Sequence, residues 1–115
     1  MNMQNIPQSL VEIAPGDRWV VWSWQERNGK PTKPPFMVRH GRPCGYAQNN
    51  NPQTWASLQA AQKAAQHADG IGLQLLGLEG IAAIDLDDVR GADGALVPWA
   101  ADAVSRSSSY SEFTP

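Results

Sequence analysis

Apolar and polar residues alternate along this chain in short blocks, each ended by Gly, Pro or Asn. The first block, Trp19-Val20-Val21-Trp22-Ser23-Trp24, is aromatic and β-branched, the composition of a strand half-buried or buried on both faces. Asn28-Gly29 follows, a pair suited to a tight hairpin turn because both residues tolerate positive φ. The return strand is expected over residues 32–39. Pro34-Pro35 removes two ladder donors from it, which assigns it to an edge or a bulge. Residues 41–51, with Gly, Pro and a three-Asn run, read as a loop.

A helix is expected over residues 54–66, started by Asn51-Pro52 or Thr54 and stopped by Asp69-Gly70. Trp55, Leu58, Ala61 and Ala65 recur at helical spacing and form its apolar stripe. Residues 70–76 and 80–87 read as two apolar strands paired antiparallel across a short connection. Gly91-Ala92-Asp93-Gly94 reads as a turn, and Pro98 suits the first position of a short helix through about Ser105. Residues 107–115 form a polar tail able to begin another strand. The order β–β–α–β–β–α predicts an α+β fold, a mostly antiparallel sheet with two helices. Residues 1–17 form an N-terminal segment before one α+β domain over residues 18–115.

Composition fits one such domain. The chain has 115 residues, 42% hydrophobic and 17% charged, too apolar for a disordered protein. One cysteine, Cys44, excludes an internal disulfide and a cysteine-built zinc cage, and fits a reducing compartment. No stretch approaches the ~20 apolar residues a membrane span needs. A cytoplasmic protein with no membrane partner is expected. The net charge of −2 conceals an asymmetry. Residues 18–42 hold six of the nine bases and one acid, whereas residues 69–112 hold eight of the eleven acids and two bases. Such a pattern arises from two solvated faces, or from a basic face for phosphates beside an acidic face for metal ions or for phosphate mimicry.

Chemistry concentrates in two places. If residues 84–87 are extended, Asp85 and Asp87 project to one side while Ile84 and Leu86 enter the core. Two carboxylates so placed repel unless a cation lies between them, and Mg²⁺ or Mn²⁺ prefers such hard oxygen ligands. A strand that simply ends in solvated acids explains the same pattern. The second place is the first hairpin, where Trp22 and Trp24 lie near Lys30, Lys33, Arg39 and Arg42. Aromatics among bases suit phosphates and unpaired nucleic acid, although Trp22 and Trp24 would equally suit a core. No calcium loop, phosphate loop or full dinucleotide fingerprint is present. His40, His67 and Cys44 have no partners in sequence that would activate them.

Taken in order, Trp19-Val20-Val21-Trp22, Gly29-Lys30-Pro31-Thr32-Lys33-Pro34-Pro35-Phe36, Asn51-Pro52-Gln53-Thr54-Trp55, Asp69-Gly70-Ile71-Gly72, Ile84-Asp85-Leu86-Asp87 and Ser109-Tyr110-Ser111-Glu112-Phe113-Thr114-Pro115 make a more specific signal than any one piece. This set resembles the N-terminal half of the primase-polymerase domains of phage and plasmid replication proteins, in the archaeo-eukaryotic primase superfamily. The resemblance implies that Asp85 and Asp87 descend from ligands of the catalytic divalent metals. It also implies a phosphate-gripping Ser-Gly-x-Gly-x-His strand and a further acidic strand, both beyond Pro115. A catalytically incomplete module is therefore expected, one that needs no Mg²⁺ or Mn²⁺ and acts on a macromolecular partner. The partner is a host-defence or replication protein, as for an anti-CRISPR inhibitor, or nucleic acid. The alternative is the N-terminal piece of a DNA primase or polymerase that contributes Asp85 and Asp87 to nucleotidyl transfer. An open sheet edge would also permit a homodimer.

Overall fold

The computed structural model describes residues 6–113 and is α+β, with antiparallel sheets. The chain divides into two compact units, Met1–Ile81 and Ala82–Pro115.

The first unit is built on a four-stranded sheet in the order β5-β4-β1-β6, from β1 (Trp19–Trp22), β4 (Pro35–Arg39), β5 (Arg42–Tyr46) and β6 (Gly70–Leu73). A separate two-stranded ribbon of β2 (Gln25–Arg27) and β3 (Lys30–Thr32) extends from it. Strand alternation divides the side chains of β1. Trp19 and Val21 enter the main core with Ala61, Ala64, Ala65 and Ile71. Val20 enters a smaller cluster on the opposite face with Ala47, Trp55 and Met37. Trp19, Val21 and Ile71 are the largest fully buried side chains, each stabilising by roughly 1.5–3 kcal/mol or more.

Helix α2 (Leu58–Ala64) covers the main-core face, packing on β1, β4 and β5. Its three buried alanines, two in the helix and Ala65 in the 3₁₀ turn Ala65–His67 that prolongs it, let the backbone approach the sheet closely. A short N-terminal helix, α1 (Gln8–Ile13), buries Leu10 and hands Ala14 to the same core.

Several expectations needed correction. The helix begins at Leu58, because Ser57 caps it by accepting a hydrogen bond from the Ala60 N–H at 3.1 Å. Before that, Pro52–Thr54 is a 3₁₀ turn, and Ala56 exchanges two backbone hydrogen bonds with Trp19 at 2.9 and 2.7 Å. Trp55 is thereby turned away from the helix stripe into the opposite cluster, its indole N–H donating to the Gln48 carbonyl. Part of the expected loop at 41–51 is the strand β5. The expected return strand is split into β3 and β4, and β4 is internal to the sheet. It tolerates its prolines because Pro35 is the first residue of the strand and a register shift falls between Phe36 and Val38.

The expected strand over 80–87 is absent, so β6 pairs with β1 alone. Just after β6 the chain is held to the β1 side: the Gln74 N–H donates to the Arg18 carbonyl at 2.8 Å, and the Arg18 guanidinium donates to the Gln74 and Leu76 carbonyls at 2.8 and 3.2 Å. Gly77 and Gly80, both at φ 76, then turn the chain twice.

In the second unit, a small turn is closed by the Arg90–Leu96 bridge, with Val97 N–H donating to the Val89 carbonyl at 2.7 Å. The turn at 91–94 expected from the sequence forms its tip, where the Gly94 N–H donates to the Gly91 carbonyl at 3.0 Å. Helix α3 (Pro98–Ser107) begins on Pro98 as expected and ends on Ser108 in the left-handed region. Residues 108–113 form no strand; 114–115 lie outside the described residues. No helix among the described residues is long and apolar enough to cross a membrane.

Candidate nucleic-acid interface

Two hairpins of the first unit share one local construction. β2 and β3 are joined by Asn28-Gly29, and β4 and β5 by His40-Gly41. All four turn residues have positive φ, 55 and 77° in the first turn, 52 and 73° in the second. This is the two-residue turn whose twist matches that of the flanking strands. In each case the last cross-strand pair is cationic: Arg27 faces Lys30, and Arg39 faces Arg42. Like charges directly opposite on a ladder are destabilising. All four side chains are exposed. An anion bridging either pair would remove that repulsion and gain charge-assisted hydrogen bonds.

The Arg39–Arg42 tip has a third cation beside it. The aliphatic stem of Lys63, from α2, lies over Gly41 so closely that a Cβ there would come within 2.9 Å of Lys63 Cε. Glycine at this turn therefore serves twice, for its positive φ and for the passage of the lysine.

Trp22, Trp24 and Lys33 form the second feature. The Trp22 ring sits against Gly70, where any Cβ would collide with the indole. Trp24 meets Trp22 edge-on, with centroids 5.5 Å apart and planes at 87°. The Trp24 N–H donates to the Asp69 carboxylate at 2.8 Å, which fixes the chain where it leaves the sheet. The Lys33 ammonium lies 5.7 Å from one ring centroid and 5.8 Å from the other, within cation–π range of both. Trp24, Gln25, Glu26, Gly29 and Pro31 line a shallow, open depression beside it.

Of the three expected phosphate contacts, the structure brings Arg39 and Arg42 together and leaves Lys33 apart. Lys33 precedes β4 and Arg39 ends it, six residues on, so they are separated by up to roughly 20 Å. The sequence placed Lys30 by the tryptophans but did not show its pairing with Arg27, nor the part of Lys63. The repeated pattern base-x-Gly-base, in Arg27-Asn28-Gly29-Lys30 and Arg39-His40-Gly41-Arg42, carried the signal for the first of these.

Asp85 and Asp87 belong to the second unit. Both are exposed, on a segment with no regular secondary structure, between Ile84, 82% exposed, and Asp88 in the left-handed region. Two hard-oxygen carboxylates suit Mg²⁺ or Mn²⁺, but among the described residues no group of three or more His, Cys, Asp or Glu stands together to hold a metal.

The clearest electrostatic perturbation in the second unit is at Tyr110. Desolvation, then its hydrogen bond to Glu112 at 2.7 Å and the charge of that carboxylate, push its phenol up to about 12. Nearby, the Arg90 guanidinium stacks 3.7 Å over the Phe113 ring.

Comparison with protein-family models, curated proteins and solved structures finds no match to this chain.

Proposed function

We propose that this chain is a primase-polymerase-like module that works by holding a macromolecular partner, and that the partner is single-stranded nucleic acid. The observation that carries this reading is the paired-cation turn at Arg39 and Arg42 with Lys63 against it. Three positive side chains converge there on one exposed tip. A second paired-cation turn, Arg27 and Lys30, repeats the device on the neighbouring ribbon. The first unit as a whole holds seven cations against five acids, so its field favours approach of a polyanion. The ordered sequence set supports a primase-polymerase-like origin.

The test is fluorescence anisotropy with a labelled single-stranded 12-mer at low salt. Arg39→Ala combined with Arg42→Ala is expected to weaken binding at least tenfold without altering the circular dichroism spectrum. Binding unchanged by the double substitution would remove the basis of the proposal.

A protein partner is a second reading, favoured by the second unit. It carries six acids against two cations and exposes Ile84, Trp99 and Phe113. Acids among exposed apolar groups suit a basic nucleic-acid-binding surface of a host-defence or replication protein. Inhibition of such a protein that persists in the Arg39→Ala, Arg42→Ala variant would favour this reading over the first.

A further inference from the structure

The two faces of the β2–β3 ribbon differ in chemistry. Glu26 and Pro31, directly opposite on the ladder, project to one face, and the pairs Gln25–Thr32 and Arg27–Lys30 project to the other. The acid of the ribbon thus lies away from its two exposed cations, and nothing on their own face offsets them within the ribbon. That cationic face is also the one that meets the main sheet. The Tyr46 hydroxyl donates to the Gln25 side-chain oxygen at 2.9 Å, and Gln25 is braced in turn by the Thr32 hydroxyl on its carbonyl at 3.1 Å. The Tyr46 ring stacks on that of Phe36, its cross-strand partner, with centroids 5.2 Å apart and planes at 29°. Phe36 packs against the main core. Tyr46 is therefore held at the ring itself, by one face and by its hydroxyl, and is still 53% exposed. An aromatic surface so fixed has already lost the rotamer freedom that stacking against a ligand would cost.

We infer that Tyr46 stacks one unpaired base of a bound single strand, and that Arg27 and Lys30 hold the phosphate beside that base. The inference rests on the nucleic-acid reading above and adds where a base is seated. Gln25, which touches the Tyr46 hydroxyl, and Arg27 are two residues apart on one strand, about 7 Å. A fixed ring and a pair of cations therefore stand on one face within the reach of a single nucleotide. Charge and shape together decide the occupant. An apolar protein side chain would use the ring and leave two like charges facing each other across the ladder. A nucleotide lays its base on the ring and its phosphate between the cations, the combination on which single-strand binding depends. Arg39 and Arg42 lie at the other end of β4 and β5 from the Phe36–Tyr46 pair, so their turn is a separate contact.

The experiment measures the affinity of the full chain for two labelled 12-mers, oligo(dT) and an oligonucleotide of the same phosphate count whose residues are all abasic. Stacking of one base predicts that the wild type binds oligo(dT) about five- to 150-fold tighter than the abasic strand. Tyr46→Ala is expected to remove that preference while leaving affinity for the abasic strand and the salt dependence unchanged. Tyr46→Phe, which keeps the ring and gives up the hydroxyl contact, should retain most of it. Arg27→Ala combined with Lys30→Ala should weaken binding of both probes and reduce the salt slope by roughly 1.4. Equal wild-type affinity for the two probes, or a preference for oligo(dT) that survives Tyr46→Ala, would overturn the stacking site and leave the paired-cation reading intact. Tyr46→Ala weakening both probes equally would also overturn it, as a structural effect. Failure of the wild type to bind either probe would overturn both the inference and the reading on which it rests.

Discussion

Single residues decide how the sheet meets its neighbours. Gly70 is required by Trp22: Gly70→Ala places a methyl group in the indole and is expected to cost about 1–3 kcal/mol, read as a lowered urea midpoint. The same change should also disturb Trp24, whose ring leans on Trp22. Tyr110 reports on the second unit. Its phenol pKa is raised in the fold from 10.0 to about 12, so the folded state holds this proton more tightly than the unfolded chain. The resulting stabilisation is complete below pH 10 and is lost as pH rises through 12. Following phenolate absorbance, Glu112→Gln is expected to lower the midpoint only part of the way to 10, because desolvation is the largest cause and remains.

Elements were legible where local chemistry alone determines them. Asn28-Gly29 and Pro98 announce a turn and a helix start through backbone geometry that nothing distant overrides. The His40-Gly41 turn escaped notice because it lacks the Asn-Gly or Asp-Gly pair that marks such turns in sequence, and without the turn β5 read as loop. His40→Val, a β-branched residue forced into the left-handed region, is expected to destabilise by roughly 1–2 kcal/mol, measured by thermal unfolding. The start of α2 was misplaced because Trp55 has helical spacing to Leu58, while its actual position follows from the long-range bonds between Ala56 and Trp19. Removing the true cap by Ser57→Ala should cost about 1 kcal/mol, whereas Thr54→Ala should leave the helix start where it is. Residues 80–87 have strand composition and no strand. Gly77 and Gly80 both take positive φ where it begins, and the alternation within the segment carries no information on whether a partner strand is in reach. The acidic couple at 85 and 87 was legible as a motif, but its setting was not.

At the scale of the whole molecule, charge is divided between the two units, net positive in Met1–Ile81 and net negative in Ala82–Pro115. A protein of net charge −2 is expected to be repelled by nucleic acid, so binding has to come from the local field of the basic turns. The dependence of affinity on salt tests that claim most directly. If Arg27, Lys30, Arg39 and Arg42 neutralise about four phosphates of a single strand, the plot of log affinity against log salt should have a slope near −3. Arg39→Ala with Arg42→Ala should reduce it by roughly 1.4. A flat response, or a slope untouched by those substitutions, would contradict the account.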